Sequence, residues 1–241
     1  MSSLEPYFAG ANGLISYVDV KRPSEYIALE GNPISSFYGY VYEKEVPNEF
    51  LKKPLYPIGA TSQDCYVKDL NGDGVITSDD RTILGSPYPT LVWGFTNQLN
   101  YMGFDLSFTF QGSHGAEVRN MDPQYIENQF SVNMDYISTF ADKALVREKI
   151  YTDQFVQDAS YVSLRSLNLG YTLPKTIASR IGMTKARIYA SGQNLFYLMG
   201  SDYTSFNPEG VTDFSSPLRA GYQVGAAPIA KAVTVGINLE F

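Results

Sequence analysis

The chain has 241 residues and a formal net charge of −7, and 14% of its residues are aromatic. The acidic balance and the absence of a basic cluster exclude a nucleic-acid-binding protein, because such proteins neutralise phosphates with Lys and Arg. Cys65 and His114 are the single cysteine and the single histidine, which excludes an intrachain disulfide and a multi-histidine zinc site. No apolar run approaches the ~18 residues of a membrane-spanning helix.

Apolar and polar residues alternate along much of the chain, and this period of two predicts about seven strands. In chain order they cover residues 14–20, 37–42, 91–101, 104–111, 161–172, 186–196 and 233–241. The clearest alternation sets Phe104, Leu106, Phe108 and Phe110 against Asp105, Ser107, Thr109 and Gln111. A slip of phase at Arg165 predicts a β-bulge, and short helices are predicted over 136–149 and 174–182.

The connections between these strands alternate in length. Residues 102–103 and 173–185 are short connections, whereas 43–90, 112–159 and 197–230 are long. Strands of about 9–11 residues with this sorting of connections are typical of outer-membrane barrels, which have tight turns on one side and extended loops on the other. We therefore expect an all-β fold, an antiparallel transmembrane β-barrel segment with long extracellular loops. A soluble β-sandwich also alternates, but it does not predict the sorting of connection lengths.

The first long connection, 43–90, contains an EF-hand-like calcium motif. Side-chain oxygens lie at the first, third and fifth positions of a twelve-residue loop, and Gly74 takes the sixth, where the backbone turns sharply. The candidate ligands are Asp69, Asn71, Asp73, the Val75 carbonyl, Thr77 and Asp80. Without a cation the clustered carboxylates would repel one another. Asp80 replaces the usual bidentate Glu, and a series of metal-free Asx-turns is the open alternative.

Several stretches resemble the SusC/RagA family of TonB-linked outer-membrane transporters. They occur in family order over roughly residues 30–241, and they comprise 30–34, 37–40, 69–76, 80–85, 87–89, 93–95, 103–107, 161–165, 169–174, 187–196, 207–209 and the terminal strand. The family implies a barrel of 22 strands, plugged by an N-terminal domain, that imports glycans or peptides with energy from TonB. It also implies a SusD-like surface lipoprotein that acts as a lid.

From this resemblance we expect residues 1–241 to be the C-terminal part of such a barrel, integral to the outer membrane and not an enzyme. We expect the signal peptide, the plug and the TonB-contacting segment of such a receptor to be missing from residues 1–241, and about seven strands cannot close a barrel. We therefore expect either a C-terminal fragment of a longer polypeptide or a truncated or split reading frame. The expected cofactor is calcium. The expected partners are the SusD-like lipoprotein, TonB through the missing N-terminal region, an oligosaccharide or peptide ligand, and outer-membrane lipid.

Two other functions stay open from the residues alone. A self-contained, secreted calcium-binding β-domain of a cell-surface protein would purify without detergent, whereas a barrel segment would aggregate. A secreted glycan hydrolase would need two carboxylates across a cleft, and Asp69, Asp79 and Asp80 do not supply them because the calcium motif uses two of the three.

Aromatic residues of the last long connection could stack on sugar rings or pack the loop; they are Tyr197, Tyr203, Phe206 and Phe214.

Overall fold

The computed structural model describes residues 13–16, 25–43, 67–122, 152–210 and 220–241. In chain order its strands are β1 (Gly13–Ser16), β2 (Tyr26–Leu29), β3 (Ser36–Tyr40), β4 (Arg81–Gly85), β5 (Leu91–Tyr101), β6 (Phe104–His114), β7 (Glu117–Asn120), β8 (Val156–Asp158), β9 (Tyr161–Thr172), β10 (Lys185–Met199), β11 (Tyr222–Gln223) and β12 (Ala232–Glu240). One α-helix, α1 (Lys175–Ala178), and three 3-10 turns, Ser78–Asp80, Asp153–Phe155 and Ser179–Ile181, complete the described elements.

The chain divides into two compact units. Unit 1 consists of Met1–Tyr88, Ala116–Asp158 and Asp202–Ala227, and unit 2 of Pro89–Gly115, Ala159–Ser201 and Pro228–Phe241. None of the helices in the described ranges is both long enough and apolar enough to cross a membrane.

Unit 2 is a five-stranded antiparallel sheet in the order β12-β10-β9-β6-β5. Taken in chain order, each strand of this sheet pairs with the previous strand of the same sheet, so the strands form an up-and-down meander. Short connections, 102–103 and 173–184, join strands at one end, which we call the turn end; long connections, 115–160 and 200–231, join them at the other, the loop end. The alternation of connection lengths expected from the sequence is therefore present in this sheet.

Local sequence explains the details of this sheet. Met102 and Gly103 both have positive φ, 47° and 88°, which is the conformation of a two-residue hairpin turn that matches strand twist. Between β6 and β9 the register passes from Thr109–Ser166 to Phe110–Leu164. Arg165 is left without an opposite residue, so the bulge predicted from the slip of phase is confirmed.

Unit 1 contains two smaller sheets. The order of the first is β1-β2-β3-β4, and the second places β7 between β8 and a parallel β11. The apolar core of unit 1 contains Tyr26, Phe37, Met121 and Phe155. The rings of Tyr26 and Phe37 are arranged edge to face, with their centres 5.7 Å apart. Buried polar groups add to this core, because Arg119 donates to Glu25 at 2.6 Å and both side chains are almost fully buried.

A described strand corresponds to each of the seven predicted strands, but these strands do not form one wall. Residues 17–20 of the first predicted strand lie outside the described residues. Five of the seven make the sheet of unit 2, whereas the predictions at 14–20 and 37–42 correspond to β1 and β3, which lie in the four-stranded sheet of unit 1. The described residues also contain five strands that the sequence did not predict: β2, β4, β7, β8 and β11. Each has at most five residues, too few to show an alternating pattern, and β4 lies inside the predicted irregular loop 43–90. The helix predicted over 136–149 lies outside the described residues.

Candidate functional site

The two faces of the unit 2 sheet differ sharply in chemistry. Residues that lie directly opposite one another on paired strands share a face of the sheet. One row across all five strands consists of Leu99, Leu106, Leu169, Ala190 and Val235. The next row, on the opposite face, consists of Gln98, Ser107, Asn168, Ser191 and Thr234. In these two rows the alternation predicted for 104–111 therefore extends across all five strands. Asn97, opposite Phe108, is a polar residue on the apolar face.

The apolar face is open to its surroundings. Val235 is 73% exposed, Ile237 62% and Leu99 54%. The same face also carries exposed Phe95, Phe104, Leu169 and Ile188. Proteins that are monomeric in water rarely expose continuous apolar patches of more than a few hundred Å². A face with this composition therefore requires an apolar environment.

The height of this face fits a bilayer. β5 has 11 residues, so at ~3.4 Å per residue it is about 37 Å long. A tilt of about 45°, which is usual in outer-membrane barrels, reduces this length to about 26 Å along the membrane normal. The apolar band of such barrels is about 25 Å tall.

The middle of the polar face is uncharged and hydrogen-bonded. Thr96 and Thr109 hydroxyls lie 3.1 Å apart, and the Asn168 amide donates to the Ser107 hydroxyl at 3.1 Å. Charges are found nearer the ends of the sheet. At the turn end Arg187 donates two hydrogen bonds to Asp105, at 3.0 and 2.5 Å. Both side chains lie close to Gly170, where an added Cβ would collide with each of them.

At the loop end the bulge places Arg165 among aromatic side chains. Its guanidinium donates to Gln111 Oε1 at 2.8 Å and to the hydroxyls of Tyr197 and Tyr161 at 2.5 and 3.4 Å. The rings of Tyr161 and Tyr197 are 5.9 Å apart, centre to centre. This cluster was not predicted from the sequence, and the slip of phase at Arg165 was the one signal of it. Tyr197 is one of the four aromatic residues considered as sugar contacts, and here it contacts Arg165 and Tyr161 within the sheet.

The other three of those aromatics lie in the part of the chain assigned to unit 1. The Tyr203 hydroxyl donates to Gln223 at 2.9 Å, and the burial of Tyr203 raises its pKa above the ordinary tyrosine value. Phe206 is 60% exposed, and Phe214 lies outside the described residues.

The predicted calcium motif is an ordered loop organised by two carboxylates. Asp69 accepts the backbone N–H of Gly72 at 2.7 Å and that of Gly74 at 2.8 Å. Asp80 is fully buried; its Oδ1 accepts the N–H of Leu70 at 2.9 Å and its Oδ2 that of Thr77 at 2.7 Å. Asp80 therefore joins the beginning of the loop to its end.

The electrostatics of Asp80 follow from these contacts. Burial by itself would raise the pKa of this carboxyl, because it disfavours the charged form. The N–H groups of Thr77, Asn71 and Leu70 all point at the carboxylate and stabilise the charge. The net result is a pKa below the ordinary value for Asp.

The remaining candidate ligands form Asx- and Thr-type turns. Asn71 Oδ1 accepts the N–H of Asp73 at 2.9 Å, and Asp73 Oδ1 accepts the N–H of Val75 at 2.8 Å. Thr77 Oγ1 accepts the N–H of Asp79 at 3.2 Å. Among the residues that the structure describes, no three His, Cys, Asp or Glu side chains are grouped so that they could hold a metal ion. The calcium site stays a prediction.

Comparison with known proteins gives a consistent result. No protein-family model matches the chain. The chain is 32% identical to TonB-dependent receptor P3 of Formosa agariphila over 230 residues, which is 89% of this chain and 23% of the relative. It is 33% identical to TonB-dependent receptor P26 of the same organism, over 83% of this chain and 21% of the relative. It is 23% identical to TonB-dependent receptor SusC of Bacteroides thetaiotaomicron, over 94% of this chain and 24% of the relative.

The fold agrees with these relatives. The structure of the RagAB peptide transporter matches with a TM-score of 0.65 at 20% identity, covering 97% of this chain and 25% of the solved chain. The same importer in its 'open-open' state also gives a TM-score of 0.65. The chain spans about a quarter of the length of the curated relatives that it matches. By sequence and by fold, the chain belongs to the SusC/RagA family of TonB-dependent receptors, of which it represents a barrel portion.

Proposed function

We propose that the chain is part of an importer in the bacterial outer membrane. In this role the unit 2 sheet supplies five adjacent strands of the barrel wall, with its apolar face towards lipid and its polar face towards the interior. The observation that carries the proposal is the register of the two rows: in one row all five strands place an apolar residue, and in the next row, on the opposite face, all five place Ser, Thr, Asn or Gln. A wall between lipid and a polar interior needs this arrangement.

The imported ligand is an oligosaccharide or a peptide, taken up with energy from TonB and with a SusD-like lipoprotein at the cell surface. Support for this class comes from the relatives, since one is named SusC and a solved structure of the same fold is a peptide transporter. The proposed role involves no catalysis. The relatives are named as receptors and transporters.

We further propose that the loop of residues 69–80 binds one calcium ion. The donor set favours calcium over zinc or copper, because it offers carboxylate, amide and backbone carbonyl oxygens and no nitrogen or sulfur. Each carboxylate oxygen that accepts one N–H keeps a second lone pair, so the bonds of Asp69 and Asp73 are compatible with ligation.

Site-directed labelling tests the orientation of the wall. Phe108 and Thr109 are adjacent in β6 and face opposite sides of the sheet, so they form a matched pair. We would replace Cys65 by Ser, introduce Phe108→Cys or Thr109→Cys into the receptor as its own cell produces it, and attach a fluorophore. In lipid nanodiscs, a nitroxide on the acyl chains should quench the dye at position 108 and leave the dye at 109 bright.

Two results would contradict the proposal. One is the reverse pattern, with position 109 quenched by lipid and position 108 accessible to aqueous iodide. The other is a protein that stays monomeric in buffer without detergent, as the secreted calcium-binding β-domain would. Heat-modifiable migration on a gel verifies that both variants are folded.

A further inference from the structure

The connection between β9 and β10 contains a compact helical element at the turn end of the sheet. α1 (Lys175–Ala178) continues directly into the 3-10 turn Ser179–Ile181, and Gly182 ends both with a left-handed φ of 76°. We call residues 175–181 the basic helical turn. The helix predicted over 174–182 is present, and Gly182 follows its last residue as predicted. Pro174 was predicted at the first helical position, but it is the N-cap and the helix begins at Lys175.

The basic helical turn is held rigidly to the sheet. Ala178 is fully buried, and α1 contacts β10. On one side Leu173 donates its N–H to the Ala186 carbonyl at 2.9 Å; on the other, Thr184 donates to the Glu240 carbonyl at 2.7 Å. The side chains that the turn presents are therefore displayed at a fixed place on the turn end.

Those side chains combine exposed apolar groups with basic ones. Ile177 is 49% exposed and Ile181 56% exposed, and residues four apart on a helix are neighbours. Lys175 and Arg180 are exposed on the same helical element. Isoleucines next to Lys and Arg on one short helical element are typical of segments that lie in a membrane interface.

The charge of this part of the chain is opposite to that of the whole. The chain carries 25 acidic and 18 basic residues, yet residues 173–199 contain four basic residues and no Asp or Glu. Lys185 and Arg187 are compensated, by Glu240 at 3.7 Å and by Asp105. Within the described residues no ion pair neutralises Lys175 or Arg180. The basic helical turn thus holds two uncompensated positive charges beside two exposed isoleucines.

We propose that the basic helical turn binds the surface of a bilayer leaflet that contains anionic phospholipid. Ile177 and Ile181 enter the interface between headgroups and acyl chains, and Lys175 and Arg180 contact lipid phosphates. This inference rests on the proposed membrane location of the unit 2 sheet, and it adds a specific lipid-binding element to that sheet.

The surrounding residues favour lipid over a protein partner. The apolar face of the sheet ends at the same level with aromatic side chains, of which Tyr101 is 71% exposed and Phe104 52%. Phe104 packs on Tyr171, with their ring centres 4.5 Å apart. Aromatic residues at the end of a lipid-facing strand mark the level of the headgroups. The basic helical turn follows β9 directly at this level, so its cations are placed where phosphates lie.

Depth-dependent quenching tests the position of the isoleucines. In the Cys65→Ser background, an environment-sensitive dye is attached at Ile181→Cys in the full receptor, which is then placed in phosphatidylcholine nanodiscs with or without phosphatidylglycerol. Lipids with a nitroxide headgroup should quench this dye, and phosphatidylglycerol should increase the quenching. Thr109→Cys is the control, because Thr109 belongs to the same sheet and lies on its polar face. Its dye should respond to aqueous iodide and not to the nitroxide lipid.

Lipid retention tests the two cations. Native mass spectrometry of the receptor, released from mixed lipid, measures the ratio of bound phosphatidylglycerol to phosphatidylcholine. Each of Lys175→Gln and Arg180→Gln should lower the binding constant for phosphatidylglycerol about fivefold, because a basic residue near an anionic surface contributes about 1 kcal/mol. Lys231→Gln, which removes an exposed lysine next to the loop end, should leave the ratio unchanged.

The inference is overturned if the dye at position 181 is quenched by iodide and not by the nitroxide lipid, or if it is shielded from both, as a protein partner would shield it. An unchanged lipid ratio in both glutamine variants also overturns it. The dye at position 108 separates this failure from failure of the proposed function. If acyl-chain nitroxide quenches the dye at position 108 but headgroup nitroxide does not quench the dye at position 181, the proposed membrane location of the sheet is supported. The proposed lipid binding by the basic helical turn is then wrong.

Discussion

Replacement of Asp80 by Ala tests how the loop of residues 69–80 is held together. The buried carboxylate accepts N–H groups from Leu70, Asn71 and Thr77 at 2.9, 3.4 and 2.7 Å. It also completes a capping box with Thr77 at the start of the 3-10 turn. Alanine removes all of these acceptors at once, so we expect the loop to open locally while the apolar core of unit 1 stays intact.

The size of the effect follows from the number of hydrogen bonds. A bond to a charged group contributes about 1.5–3 kcal/mol, and N–H groups near the surface recover part of this from water. Two short bonds and one long one therefore give a loss of about 3–5 kcal/mol in the local free energy of unfolding. Since each 1.4 kcal/mol is a factor of ten, amide exchange at Leu70 and Thr77 should become faster by about two to four orders of magnitude.

Hydrogen exchange of the purified protein, followed by mass spectrometry over this loop, measures the change. Asp79→Ala is the matched control, because it removes the same charge from an exposed neighbour and none of the bonds to Asp80. The reasoning is refuted if Asp80→Ala and Asp79→Ala exchange at the same rate at Leu70 and Thr77.

Acidification should have a related effect on the unmodified loop. The pKa of Asp80 is lower in the folded chain than its ordinary value, so the folded state favours the carboxylate. The resulting stability is fully present above the ordinary pKa of Asp and is lost as the pH falls through the folded value. Protection of the Thr77 amide should decrease over that acidic range in the unmodified protein and be independent of this titration in Asp80→Ala.

Three further predictions concern other parts of the chain. Calorimetry should detect one calcium ion per chain and weaker binding in Asp73→Ala, and a flat titration at millimolar calcium would remove the metal proposal. Burial, together with nearby Asp158 and Asp202, raises the pKa of Glu117, so the ionised form of this side chain destabilises unit 1. Glu117→Gln should therefore raise the melting temperature near neutral pH, and this increase should become smaller as the pH falls. An unchanged melting temperature would contradict this prediction. Gly103→Ala should lower the urea midpoint of the receptor in detergent, because φ is 88° and the added Cβ would lie against the Thr172 carbonyl. The left-handed conformation alone corresponds to a loss of about 1–2 kcal/mol in the free energy of unfolding. An unchanged midpoint would contradict this prediction and show that the turn relaxes.

The sequence alone determined the strands of the unit 2 sheet. β5 and β9 have the bounds that alternation predicted, Leu91–Tyr101 and Tyr161–Thr172. Long strands with one apolar face repeat this signal over many residues, so it survives without knowledge of their partners. The two-residue turn at 102–103, the bulge at Arg165 and the helical element before Gly182 were also readable, because each depends on residues close together in the chain.

Only the tertiary structure decided how unit 1 is assembled. β11 pairs in parallel with β7, about a hundred residues earlier in the chain, and two residues cannot specify such a pairing by pattern. The burial of the ion pair between Arg119 and Glu25 is likewise a long-range result. Short strands gain their stability from packing against distant segments, and that contribution is absent from any local window of sequence.

The loop of residues 69–80 shows both kinds of information together. Its spacing of Asp, Asn and Gly predicted an ordered, sharply turning loop, and the turns are there, since Gly72 and Gly74 have φ of 76° and 86°. The spacing assigned Asp80, and not Asp79, to the last position of the motif, but it did not show that Asp80 would be fully buried while Asp79 stays exposed. The fold made that distinction, because closing the loop brings the Leu70 and Thr77 N–H groups to one carboxylate and leaves its neighbour in solvent.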